Sequence, residues 1–269
     1  MKTGGRLIYS GQLGQRSSAL IEYFEILDKY MKGPTLYENN QQDLFSILGA
    51  MYMVIIFFGV NSCSTVLPYV SAERTVLYRE RFAGTYSAWS YSLAQLLVEV
   101  PYSFALSVIY VIITYPMIGY SLSAYKIFWS FYGMFCTLLC FNYLGMLLIS
   151  VTPNAQVAII LCSIAYATMN FFSGFIVPKK RIPMWCGSGC TISVPTSWAL
   201  EGMFTSQYGD LDKEIPVFGE TKTASAFIED YFGYRQNFLG VAGLVLITIP
   251  IVVASLFTYF IGKLNFQRR

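Results

Sequence analysis

One acidic residue stands alone in a long apolar stretch: Glu99, followed two residues later by Pro101. A carboxyl group inside hydrocarbon is costly and tends to be functional, and a nearby proline frees a backbone carbonyl. Two chemistries suit it. As a station in a proton or cation relay, Glu99 needs further acids or histidines in series. As a structural carboxylate, it needs a hydrogen bond near the kink or a pairing with Arg79 or Arg81. No other acid lies at comparable depth and histidine is absent from the chain, which favours the structural role.

The absence of histidine also removes Ser-His-Asp and Cys-His catalysis and His-ligated metals. No G-x-x-x-x-G-K-[ST] occurs, so there is no P-loop to cradle nucleotide phosphates. No Asn-x-[ST] acceptor is present either. Of the six cysteines, Cys63, Cys136, Cys140 and Cys162 lie in apolar runs and read as small packing residues. Cys186 and Cys190 form Cys-Gly-Ser-Gly-Cys in a polar loop, where a disulfide and two unpaired thiols are both open. A zinc site would need more ligands. The expectation is no catalytic residue and no metal.

The segment Glu73–Arg81 places Glu73, Arg74, Arg79, Glu80 and Arg81 around Val76, Leu77 and Tyr78. A solvated loop and an amphipathic helix docking onto a cytosolic partner fit it equally.

The elements that must position these residues follow from the solvent. A mean hydropathy of +0.51 with 12% charged and 17% aromatic residues belongs to a membrane protein. A net charge of +3, scattered along the chain, gives no sign of nucleic-acid binding. From Ile127 to Pro178 there is no Asp, Glu, Lys or Arg. About 20 apolar residues cross a bilayer, so this run predicts a hairpin, with helices over 126–150 and 155–177 about a turn at Ser150-Val151-Thr152-Pro153-Asn154. Further spans are expected over 44–68, 87–118 and 238–262. Residues 178–236 read as a long mixed loop, within which 197–208 suits an interfacial or re-entrant helix. Tyr102, Tyr110, Tyr115 and Tyr120, with Trp89, Trp129, Trp185 and Trp198, read as interfacial belts.

Five spans carry a parity problem. Arg74, Arg79 and Arg81 mark 73–85 as a cytoplasmic loop, which also puts Lys263, Arg268 and Arg269 inside. Residues 1–43 then fall outside despite Lys2, Arg6, Arg16, Lys29 and Lys32. Either the N-terminus is external or one crossing is missing.

Several ordered motifs resemble plant ABC exporters of the G subfamily, pleiotropic-drug-resistance type. They are Glu73–Arg81, Ala94-Gln95, Glu99–Tyr102, Phe172–Pro178, Ile182–Trp185, Pro195–Gly202, Ser206–Asp210 and Asn265–Arg269. The match covers nearly everything from Gln41 onward. Upstream it is discontinuous: Met1–Glu25 resembles the tail of the second nucleotide-binding domain, and 26–43 a linker. A block after Glu25 and another near Asn40, which should hold the elbow helix and first crossing, are absent from the pattern. Cys186–Val194 departs from it as well. Missing or misjoined exons would account for all three.

The resemblance implies an all-α integral membrane fold, the helical bundle of an ABC-2 type exporter domain over 44–262, with five spans detected of an expected six. It implies an extracellular loop at 178–236 and a cytosolic tail at 263–269 in the plasma membrane. Asn61, Ser64, Ser163, Ala167 and Asn170 would face the substrate cavity, and Phe175 and Ile176 would form an apolar plug above it. Glu73, Arg74, Arg79, Glu80 and Arg81 would receive motion from nucleotide-binding domains, and Glu99 would be the family's carboxylate at the start of its third span. The implied partners are lipid, nucleotide-binding domains, a second membrane domain and a hydrophobic small-molecule substrate. The chain itself would bind no cofactor; ATP and magnesium would belong to the full-length transporter or a partner. The expected function is export of hydrophobic or amphipathic compounds, with ATP hydrolysis outside this chain. The alternative is a truncated, non-transporting protein that at most associates with half-transporters.

Overall fold

A computed structural model describes residues 2–3, 6–7, 41–84, 87–118, 120, 123–178, 194–209, 214–217, 220–234 and 238–264. Along the chain run β1 (Lys2–Thr3), β2 (Arg6–Leu7), α1 (Gln41–Phe82), α2 (Ala88–Ile118), α3 (Ala124–Val151) and α4 (Ala155–Phe171). These are followed by α5 (Pro195–Tyr208), β3 (Glu214–Val217), β4 (Glu220–Thr223), α6 (Ala224–Tyr231) and α7 (Leu239–Lys263). The strands form two small antiparallel pairs, β1 with β2 and β3 with β4. The helical bundle is the body of the molecule, an all-α membrane fold.

Among the described residues four helices are long and apolar enough to cross a membrane: α1, α2, α3 and α7. The expected fifth crossing over 155–177 is shorter. α4 ends at Phe171 after 17 residues, about 26 Å of helix. The chain then turns at Gly174, whose φ of +89° an L side chain rarely adopts. A Cβ there would also lie 2.6 Å from the Tyr234 hydroxyl oxygen, so glycine both makes the turn and admits the tyrosine. Thr152 and Pro153 separate α3 from α4 as the turn residues predict, because proline cannot continue a helix.

The charged segment after the first span is helix. α1 continues unbroken for 42 residues to Phe82, about 63 Å or twice the hydrocarbon thickness. Between Pro68 and Gly84 the sequence has no breaker, and Ala, Leu, Glu and Arg there are good helix formers. Leu77 and Tyr78 are buried. The helix stops at Gly84, where φ reaches +72°. Of the two structures open for Glu73–Arg81, the loop is thereby excluded.

α3 is the central strut. Its membrane window is 67% buried, against 17% for α2 and 22% for α7, and it touches α1, α2, α4, α5 and α7. Two apolar clusters stack along the bundle. One joins Leu48, Met51, Tyr52, Met134, Leu200 and Phe204; the other joins Cys63, Leu67, Phe141, Met146, Cys162 and Phe257. Glycines set the closest approach, between α1 and α3. A Cβ on Gly59 would lie 2.8 Å from the Phe141 ring, and one on Gly145 would lie 2.4 Å from Cys63 Sγ. Each helix thus offers a glycine to the other's larger side chain, an i, i+4 pairing on both sides.

α5 is not interfacial. Every residue in it except Trp198 is buried, and it packs against α1, α3 and α7. A helix enclosed all round has no face for headgroups or water, which removes the interfacial placement of the two expected and leaves the re-entrant one open. The stretch 178–236 is therefore not one mixed loop: it contains α5, the β3–β4 hairpin and α6.

Candidate functional site

α1 and α4 meet along a seam. The Tyr52 hydroxyl donates to Asn170 Oδ1 at one end, and Cys63 and Cys162 share an apolar cluster further along. Beside this seam the predicted cavity residues are open. Asn61, Ser64, Ser163 and Ala167 are all exposed, and Asn170 is half-buried. The side-chain donors of Asn61, Ser64 and Ser163 are turned back onto their own helices. Asn61 Nδ2 donates to Phe57 O at 2.8 Å, Ser64 Oγ to Val60 O at 2.8 Å and Ser163 Oγ to Ile159 O at 2.9 Å. The exposed surface between large apolar groups such as Phe57, Ile160 and Ile164 thus carries small polar positions whose two hydroxyls already donate to backbone carbonyls. It can meet an amphipathic molecule, with the second N–H of the Asn61 amide available to a polar group.

Phe175 and Ile176 part ways. Phe175 stacks on Tyr52 with ring centroids 4.9 Å apart and on Phe232 at 5.9 Å, while Ile176 is exposed. Phe175 therefore belongs to an aromatic cluster that continues through Phe204, Phe232 and Tyr234. Tyr234, Tyr208 and Tyr120 lie at this end. Burial pushes all three phenols well above the ordinary 10.0, so they stay neutral across physiological pH.

Glu99 is buried, and its partner is an amide. Asn142 Nδ2 on α3 donates to Glu99 Oε2 at 3.0 Å and to Ser103 Oγ at 3.3 Å. Ser62 Oγ on α1 donates to Asn142 Oδ1 at 2.8 Å. One amide thereby joins three helices at a depth where water is scarce. The sequence signal for it was available: Asn142 is the one carboxamide within the α3 stretch of the charge-free run. Its pairing with Glu99 depends on helix packing and is invisible in sequence.

At the charged end of α1, two residues bind neighbouring helices. Glu73 Oε2 accepts from the Tyr91 hydroxyl at 3.2 Å and from Gln95 Nε2 on α2. Arg74 donates through Nη1 to Ile149 O at 2.8 Å and through Nη2 to Pro153 O at 2.6 Å, with a further bond to Thr152. A guanidinium on the last carbonyls of a helix satisfies orphan acceptors and opposes the negative end of the dipole. Lys126 does the same for α5, donating to Gln207 O at 2.9 Å. Arg79 is exposed and Glu80 half-buried.

Cys63, Cys136, Cys140 and Cys162 are buried free thiols, as their apolar surroundings predict. Cys186 and Cys190, the side chain of Arg81, most of residues 1–40 and residues 265–269 lie outside the described residues. Among the described residues no group of three or more His, Cys, Asp or Glu is placed to hold a metal.

A bundle of long apolar helices around a central strut, with a charged helical extension at one end, is the architecture of a polytopic membrane domain. The chain belongs to the ABC-2 type transporter family, whose model matches residues 29–208. It is 58% identical over 231 residues to ABC transporter G family member 43 of Arabidopsis thaliana, covering 86% of this chain and 16% of that protein. It is 51% identical over 251 residues to member 30 of the same plant, covering 91% and 18%. Against ABC transporter G family member 41 of Oryza sativa subsp. japonica it is 51% identical over 241 residues, covering 89% and 17%. The chain thus spans about one sixth of the length of these relatives. It is an integral membrane protein of the transporter class.

Proposed function

We propose that residues 44–262 act as the second membrane domain of a pleiotropic-drug-resistance type exporter, moving hydrophobic or amphipathic small molecules out across the plasma membrane. ATP and magnesium are handled by nucleotide-binding domains outside these residues, and a second membrane domain completes the cavity. The C-terminal residues 263–269 lie in the cytosol, on the same side as the charged segment Glu73–Arg81. The observation that carries this reading is the open seam of α1 and α4, where Asn61, Ser64, Ser163 and Ala167 are exposed among large apolar side chains.

The charged end of α1 supports the same reading. Glu73 is bound to α2 and Arg74 to the end of α3, so a push from a nucleotide-binding domain on Arg79, Glu80 or Arg81 reaches three helices together. Transport by the complete transporter carrying Asn61→Ala or Ala167→Trp tests the cavity. The expected result is altered transport at unchanged abundance in the membrane. Unchanged transport by both variants would sink the assignment. The rival, a non-transporting protein that only associates with half-transporters, predicts no substrate uptake in vesicles whatever nucleotide-binding partner is supplied.

A further inference from the structure

A cavity of about 420 Å³ opens between the start of α2 and the end of α7. Ser87, Ala88 and Trp89 line one side, and Tyr259, Gly262 and Lys263 the other. Ala88 and Gly262 keep its floor narrow, since a Cβ on Gly262 would only just reach Ala88 Cβ, at 4.0 Å. The walls are aromatic, and both rings are open: Trp89 is 69% and Tyr259 49% exposed. Lys263 Nζ sits 4.9 Å above the Tyr259 ring, which holds the ammonium at the rim. Among the described residues the lining contains one cation and no carboxylate.

The place of this cavity matters as much as its lining. It lies at the ends of two membrane-length helices, where hydrocarbon gives way to headgroups and where Trp and Tyr are favoured. The short connection from Phe82 to Ala88 puts the charged end of α1, with Arg74 and Arg79, at the same end of the bundle. That end is basic in sequence too, because Arg268 and Arg269 follow Lys263. Juxtamembrane basic residues attract anionic lipid.

We propose that this cavity binds the phosphate of an anionic phospholipid headgroup. Lys263 supplies the counter-charge, and Trp89 and Tyr259 flank the glycerol and the upper acyl chain. The Tyr259 face is already taken by the lysine ammonium, so the quaternary ammonium of a choline lipid meets a like charge there, and the repulsion opposes what the Trp89 ring could offer. The site therefore selects net-anionic lipids over phosphatidylcholine. This inference needs only the membrane setting and stands apart from the transport reading.

The test uses the purified chain in phosphatidylcholine vesicles, with a minority of brominated phosphatidylglycerol or, separately, brominated phosphatidylcholine. Bromine quenches nearby tryptophan, and subtracting the signal of Trp89→Phe isolates Trp89 from Trp129, Trp185 and Trp198. Brominated phosphatidylglycerol should quench Trp89 at about fivefold lower lipid fraction than brominated phosphatidylcholine. Lys263→Ala should bring the two lipids to parity, and Lys263→Arg should keep the preference. Soluble glycerol phosphate should not displace the lipid. Parity in the unaltered chain, a preference that survives Lys263→Ala, or displacement by glycerol phosphate would each overturn the proposal.

Discussion

Arg74 on the extension of α1 donates to the backbone carbonyl of Thr152, at 2.5 Å, in the turn that closes α3. With the bonds to Ile149 and Pro153, one side chain caps the central helix and pins the α3–α4 turn. Replacing it by alanine uncovers three carbonyls near a helix terminus. Arg74→Ala should destabilise the chain by about 1–3 kcal/mol, read as a lower melting temperature in detergent. Arg74→Lys should fall between the two, since an ammonium lacks the planar fork that spans three acceptors. Equal melting of Arg74→Lys and Arg74→Ala would contradict the capping geometry.

The glycine crossing of α1 and α3 gives a sharper test. Gly145→Ala places a Cβ against Cys63 Sγ in a buried contact that has no slack. Overpacking of this kind costs about 1–3 kcal/mol. Cys63→Ala removes the obstructing sulfur, so the double variant should be more stable than Gly145→Ala alone. A double-mutant cycle with no coupling would mean the two helices are not held together at this point.

The two chemistries open for Glu99 separate by substitution. Glu99→Gln keeps an acceptor for Asn142 Nδ2, whereas Glu99→Leu removes it. A structural carboxylate predicts that Glu99→Gln stays within about 1 kcal/mol of the original chain and that Glu99→Leu costs about 1–3 kcal/mol. Asn142→Leu should cost more than Glu99→Leu, because it removes the donor to Glu99 and Ser103 and the acceptor for Ser62 together. If glutamine proves as damaging as leucine, charge rather than hydrogen bonding is what the site requires.

The aromatic end of the bundle around Phe175 should set an alkaline limit. The Tyr208 phenol is held above its ordinary value by burial, so the folded chain keeps that proton longer than the unfolded one. Its contribution is fully present below about pH 10 and is lost as pH rises beyond it. Melting temperature should therefore be level through neutral pH and fall on the alkaline side. Tyr208→Phe should make that fall shallower; an unchanged alkaline slope would remove Tyr208 from the account.

What the sequence made visible was the solvent and the breakers. The charge-free run from Ile127 to Pro178 predicted the α3–α4 hairpin, and Pro153 located its turn. The extent of α1 was harder to see because Glu73–Arg81 suits a solvated loop as well as a helix. Charge ends a membrane crossing, but only Gly84 ends the helix. For α5 the sequence left interfacial and re-entrant placements open, and only the structure shows that small residues such as Ala199 and Gly202 let protein close around every side. The site divides in the same way. Glu99 stood out on hydropathy alone, while Asn142, Ser62 and the carbonyls under Arg74 came into contact only through the packing of α1 against α3.

The glycine crossing lies near the middle of α1. From Gly59 to Glu80 the helix runs about 32 Å, and from Gly59 back to Phe45 about 21 Å. A stiff rod gripped there behaves as a seesaw, with Pro68 as its one softened rung. A sideways displacement at the charged end then returns at the far end with opposite sense and about two thirds of the amplitude. Halfway along that shorter arm, moving about one third as far, is Tyr52, the residue that stacks on Phe175 and holds Asn170. Pushing on one membrane surface therefore loosens or tightens an aromatic stack at the other.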